Sequence, residues 1–142
     1  MPFVSITRLR VRSWLYLPMF AAHAWRSARQ CAAAPGNRNT ELLADRARTF
    51  WTVTLWENEA AMKQFMLAGT HRLAMPKLLN WCDEAAVAHW SQETENLPTW
   101  HEAWRRLLHE GRRSKVAHPS AAHLAHELPV PYVRPLAERH FK

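Results

Sequence analysis

His89 lies in Ala86-Val87-Ala88-His89-Trp90-Ser91-Gln92, a run whose residue types change with a period of two. An imidazole ionises near neutrality and can work as a general base. Val87 and Ser91 share its face of the predicted strand. If that face adjoins the one carrying Ser5, Thr7, Thr52 and Thr54, one wall holds four hydroxyls and an imidazole. Such a wall could orient a small polar or quinone-like ligand, with His89 as base. The plain alternative is a structural histidine hydrogen-bonded inside the fold or at a subunit seam. His71 follows Gly69-Thr70 at a break between helices, where it could lie over the mouth of a cavity as ligand or base, or could simply be a solvated helix start. Trp56 and Phe65 could stack on a planar substrate or pack in the core.

Other chemistries find less support. His118, His123 and His126 match no strong metal spacing, and no other motif names a metal site. The three glycines form no phosphate loop. Asp and Glu fall mostly at turns and helix starts, so neither a Ser-His-Asp set nor a carboxylate pair can be argued. Cys31 and Cys82 have no CxxC spacing and fall on predicted apolar helix faces. They read as buried free thiols, which suits a reducing, cytoplasmic setting.

The elements that must position these residues follow from periodicity. Phe3 to Val11 alternates as a strand, with Val4 and Ile6 on one face and Phe3, Ser5, Thr7 and Leu9 on the other. Leu15 to Cys31 is a helix whose inner stripe is Leu17, Phe20, Ala21, Ala24, Ala28 and Cys31. His23, Arg26, Ser27 and Gln30 form its opposite stripe. Pro35-Gly36-Asn37 closes it. Asn39 to Ala44 is a short second strand. Thr49 to Trp56 is the clearest strand of all, with Trp51, Val53 and Leu55 on one face and Phe50, Thr52, Thr54 and Trp56 on the other. Asn58 caps the next helix, which turns Met62, Phe65 and Met66 inward. Gly69-Thr70 interrupts it, and Pro76 suits the first turn of a further helical piece. Ala86 to Gln92 is the fourth strand. Thr99 and Glu102 form a capping box that opens a helix ending at Gly111.

The order is β-α-β-β-α-β followed by a C-terminal helix, the ferredoxin-like arrangement of the α+β class. It predicts a one-sided antiparallel sheet. Threonines beside aromatics suit a cavity wall better than open water, and an uncovered second face calls for a homodimer that encloses a barrel-like space. Residues 1–110 form the folded domain. Residues 111–142, with scattered prolines and histidines and no sustained period, read as a tail, either disordered or wrapped over a partner subunit.

A chain of 142 residues, 48% of them hydrophobic, supports one domain with a real core. Its eight tryptophans serve that core, with an aromatic-lined cavity or a subunit interface as the sharper reading. The net charge of +7 attracts anions, but the arginines are scattered and no basic run carries the interleaved aromatics of an RNA-binding sheet. Specific nucleic-acid recognition is therefore not expected. Arg8, Arg10 and Arg12 before Trp14 to Ala24 loosely mimic a secretion signal. The charged part is itself a good strand, and Pro18, His23 and Arg26 break an apolar run too short to span a membrane.

Two segments carry a family resemblance: Thr52-Val53-Thr54-Leu55-Trp56-Glu57-Asn58-Glu59-Ala60-Ala61-Met62-Lys63-Gln64-Phe65, and Gly69-Thr70-His71-Arg72-Leu73-Ala74-Met75-Pro76-Lys77-Leu78. A strand ending in Trp-Glu followed by a capped helix resembles the recurring core of the dimeric α+β barrel superfamily, which includes antibiotic-biosynthesis monooxygenases. Ser5-Ile6-Thr7-Arg8-Leu9-Arg10 with the Ala- and Arg-rich helix after it resembles the spheroidene monooxygenase branch. The resemblance covers residues 3–108. It implies a homodimer and oxygen chemistry on an apolar, aromatic or isoprenoid molecule, with haem left open as a cofactor. Haem-degrading members carry a ligand histidine where this chain has Met75; His71 lies one turn earlier. The expected function is a monooxygenase-like protein acting on a small molecule in a cavity lined by Ser5, Thr7, Thr52, Thr54, Trp56, Phe65, His71 and His89. A non-catalytic ligand-binding or stress-related module is the second reading, and a basic protein that binds nucleic acid or acidic lipid the third.

Overall fold

The computed structural model describes residues 1–141; residue 142 and the side chains of residues 69–71, 73 and 74 lie outside the described residues. The alternation in β1 (Phe3–Val11) places it at the centre of an antiparallel sheet, because both its edges are paired. On one side runs β3 (Thr49–Trp56) and on the other β4 (Cys82–Ser91). β2 (Asn37–Asp45) pairs with the far edge of β3. This is the ferredoxin-like strand order, and α1 (Leu17–Ala33), α2 (Glu59–Met66) and α3 (Gly69–Trp81) layer onto one face of it. A single 3₁₀ turn, Trp14–Tyr16, capped by the Ser13 hydroxyl, leads into α1.

Register converts the period-two pattern into rows of side chains. Ser5 lies opposite Thr54 on one side and His89 on the other, and Thr54 lies opposite Thr40. The next row on the same face is Leu42, Thr52, Thr7 and Val87, and the one after it includes Phe50, Leu9 and Ala85. These rows face the α1–α3 layer. The alternate residues, among them Val4, Ile6, Trp51, Val53, Leu55, Ala88 and Trp90, make the main hydrophobic core. That core is closed within the chain by Trp100, Ala103 and Leu107 of α4 (Trp100–Glu110). Thr99 caps α4 by accepting from the Glu102 N–H at 3.1 Å, as its spacing predicts. The Glu102 carboxylate itself is engaged by Arg105 and Arg106.

Three features depart from the sequence reading. β4 begins at Cys82, four residues earlier than expected, because Glu84 is buried as half of an ion pair. Arg8 Nη1 donates to its Oε1 at 2.8 Å and Arg10 Nη1 to its Oε2 at 2.9 Å, so a carboxylate occupies a core-facing strand position that periodicity reads as surface. Pro76 sits well inside α3, not in its first turn, and removes one helical hydrogen bond there. The segment after Gly111 folds onto its own sheet: β5 (Arg112–Arg113) pairs with β4 and β6 (Glu138–Phe141) with β2, with the single turn α5 (Ala121–Leu124) between them. Trp100 Nε1 donates to Glu138 at 2.9 Å and Trp104 Nε1 to the Leu128 carbonyl at 2.7 Å, tying the segment to α4. Strands of two and four residues are too short to show a period.

Gly36 turns the chain from α1 into β2 with φ +86°, a conformation that L side chains rarely adopt. A Cβ there would stand 2.5 Å from that of Ala61 in α2, while the Gly36 carbonyl accepts the Glu57 N–H at 2.8 Å. This close approach holds α2 against the α1–β2 corner.

Candidate functional site

Between the sheet rows and the helical layer lies a partly enclosed cavity of about 160 Å³. Its floor carries Ser5, Thr7, Thr52, Thr54 and His89; α2 contributes Phe65, and Trp56 closes the end of β3. Thus seven of the eight residues singled out from the sequence meet around one space. The side chain of the eighth, His71, lies outside the described residues.

The hydroxyls differ in what they have free. Thr54 is occupied: its Oγ1 accepts from Trp56 Nε1 at 2.8 Å and donates to the Ser5 carbonyl at 3.5 Å. Within the described residues the hydroxyls of Ser5, Thr7 and Thr52 make no hydrogen bond, and all three are half-buried. Trp56 is itself buried, its ring centroid 5.5 Å from that of Phe65, so this pair forms an aromatic wall as well as core. The His89 ring lies 5.8 Å from Phe3. Burial lowers the His89 pKa, and Arg112 and Lys63 lower it further against an opposing pull from Glu59. The imidazole is therefore neutral at pH 7, the form a base needs.

The roof comes from α1, α2 and α3. On α1 the cavity stripe is Phe20, His23, Ala24, Ser27, Ala28 and Cys31. This corrects the expected orientation: His23 and Ser27, assigned to the outer stripe, face inward, and Ala21 is exposed. Residues 20, 23, 24, 27, 28 and 31 do keep helical spacing, so the signal was present. Two of its members are polar, so a stripe of apolar residues alone does not reveal it. His23 packs against Trp81 at 5.3 Å between centroids, and its Nδ1 is buried with no hydrogen-bond partner among the described residues. Burial first, then Arg26 and Lys77, lower its pKa. Cys31 accepts from Thr40 and Asn37, yet burial pushes its thiol up to about 12, which removes it as a nucleophile. His123, a candidate in the C-terminal segment, is structural: its Nδ1 accepts the Ala85 N–H at 3.3 Å.

Haem does not fit this cavity. Its volume is close to that of an engineered cavity of ~150 Å³ that holds benzene, a fraction of a porphyrin. Met75, at the position where the family resemblance places a haem-ligand histidine, lines the space.

The antiparallel sheet and its helical layer share the fold of solved antibiotic-biosynthesis monooxygenases. A mutant of SnoaB, a cofactor-independent oxygenase from Streptomyces nogalater, superposes with a TM-score of 0.56 at 15% identity, over 66% of this chain and 94% of that one. Rv0793 from Mycobacterium tuberculosis gives 0.60 at 13% identity, over 67% and 98%. An antibiotic biosynthesis monooxygenase gives 0.58 at 10%, over 65% and 99%. The chain belongs to the family described as Domain of unknown function (DUF3291), whose model matches residues 21–125. No curated protein matches it. Among the described residues no helix is long and apolar enough to cross a membrane.

Proposed function

We propose that the chain binds a small, planar, electron-rich aromatic in this cavity and oxygenates it with the substrate's own electrons. The observation that carries this reading is the His89 imidazole on the floor of a largely apolar cavity, beside the hydroxyls of Ser5, Thr7 and Thr52, which are unengaged among the described residues. His89 takes the phenolic proton, and the three hydroxyls orient the ring. The phenolate reacts with dioxygen; one oxygen atom replaces two hydrogens as a ring carbonyl, the other leaves as water, and the phenol becomes a quinone. The likeness to a cofactor-independent oxygenase supports this chemistry, and the cavity volume favours one or two fused rings over a long isoprenoid.

The test is oxygen uptake with a panel of phenols and quinols. His89→Ala should abolish uptake while leaving the folded protein's mass in solution unchanged; uptake that survives the substitution removes His89 from the mechanism. The apolar roof from α1–α3 also suits a non-catalytic binding module, which saturable binding without oxygen uptake would establish. The fold shared with these monooxygenases supports a homodimer: sedimentation should give twice the 16.6 kDa of one chain, and a single-chain mass would overturn it. The two free, buried cysteines suit a reducing compartment such as the cytoplasm.

A further inference from the structure

The sheet and α1 set two imidazoles toward opposite ends of the cavity. His89 stands in the row of Ser5, near the start of β1. His23 packs on Trp81, which clusters with Leu9's neighbours Val11 and Cys82 at the other end of that strand. Ser5 and Leu9 are four residues apart on β1, roughly 13 Å at the rise of a strand. Thr7 and Thr52 lie between them on the floor. A buried polar atom without a partner costs free energy, and native structures retain such atoms where something else satisfies them. His23 Nδ1 is such an atom, on a residue that lines the cavity.

We infer that His23 is the second polar anchor of this site, and that the ligand is a fused-ring aromatic bearing a hydroxyl at each end, one meeting His89 and the other His23 Nδ1. The inference rests on the cavity being a ligand site, as proposed above. A hydroxyl is the group that fits, because it both donates and accepts and so satisfies Nδ1 in either neutral tautomer. The charged neighbours of His23, Arg26 on its own helix and Lys77 on α3, both oppose its protonation, so an anionic oxygen finds no cationic imidazole there. The aromatic walls, Trp56 with Phe65 at one end and Phe20 with Phe50 at the other, match the faces of a planar molecule. His23 acts as a binding and orienting group in this scheme; proton abstraction stays with His89.

Equilibrium dialysis of the full chain against naphthalene, 2-naphthol and 2,6-dihydroxynaphthalene tests this. The unmodified protein should bind the diol about tenfold tighter than the mono-ol, the size expected when a buried polar atom gains its partner. His23→Phe should erase that preference. His23→Asn, whose amide reaches the position of Nδ1, should restore it and covers the event that the phenylalanine variant does not fold. If His23→Phe keeps the full preference for the diol, His23 is not an anchor and the inference fails, while the cavity remains a ligand site. If none of the three compounds binds the unmodified protein, the failure belongs to the ligand-site reading itself.

Discussion

Arg8 and Glu84 show how a single charged pair can organise a strand. Both are only 4% exposed, on the face of the sheet away from the cavity, and Ser120 adds a hydrogen bond to Glu84 at 2.9 Å. Burial alone would raise the Glu84 pKa; hydrogen bonds from Arg8 and Arg10 outweigh it, and the carboxyl is held below its ordinary value. Arg8 also lies over the Trp51 ring at 5.8 Å. Removing one partner leaves the other charge buried and unpaired, at a cost of about 3–5 kcal/mol, whereas replacing both with apolar residues of similar size costs far less. Glu84→Ala should therefore lower the urea unfolding free energy by about that amount, and Arg8→Met combined with Glu84→Leu should recover most of the loss. Equal losses for the single and double variants would show that the pair does not stabilise through mutual compensation. The same physics explains why the pair escaped the sequence reading: periodicity counts hydrophobic residues, and a buried ion pair contributes none.

At the scale of elements, short-range signals served well where the stabilising group is local. Asn58 Oδ1 accepts the Ala61 N–H at 2.9 Å to cap α2, Thr99 caps α4, and β3 runs over the residues its alternation marks. The α1–β2 corner is different, because Gly36 answers both to its own φ and to Ala61, which arrives from a later helix. Gly36→Ala should cost about 2–3 kcal/mol, from backbone strain and from displacement of α2 together. Pairing it with Ala61→Gly should return only the share due to the clash. Full recovery in the double variant, read from denaturant midpoints, would mean that φ contributes nothing. Because α2 carries Met62, Phe65 and Met66 of the cavity roof, the single variant should also loosen ligand binding.

At the scale of the whole molecule, the three histidines with shifted ionisation among the described residues move the same way. Burial is the largest cause in each, and it lowers His23, His89 and His123 from an ordinary value of 6.5. The folded state thus holds them neutral where the unfolded chain binds protons. Their contribution to stability is complete above pH 6.5 and is lost as pH falls through their lowered folded values. Glu84 adds a second loss at lower pH, below its ordinary 4.5, while Asp83 and Glu41, both raised mainly by burial, act in the opposite sense in the acid range. The thermal midpoint should hold from pH 8 to about pH 6.5 and fall from there to pH 5; a flat profile below pH 6.5 would show that the imidazoles are not held neutral. Arg8, Arg10 and Arg106 are engaged in ion pairs within the chain, so the net charge of +7 is presented to partners by the remaining cations.

Period-two alternation in β1 and β3 was enough to determine which residues share a face, and the caps at Asn58 and Thr99 to place helix starts, because these depend on neighbours within a turn or a pleat. Element order then settled the α+β, ferredoxin-like class, and the hydroxyl-rich strand face pointed to a cavity wall. Only the tertiary structure decided what covers that wall. The inward turn of His23 depends on how α1 packs over the sheet, the burial of Glu84 on arginines more than seventy residues away, and the pairing of β5 and β6 on edges that β4 and β2 present after folding. Each of these is a contact between segments distant in the chain, and no local period or spacing encodes it.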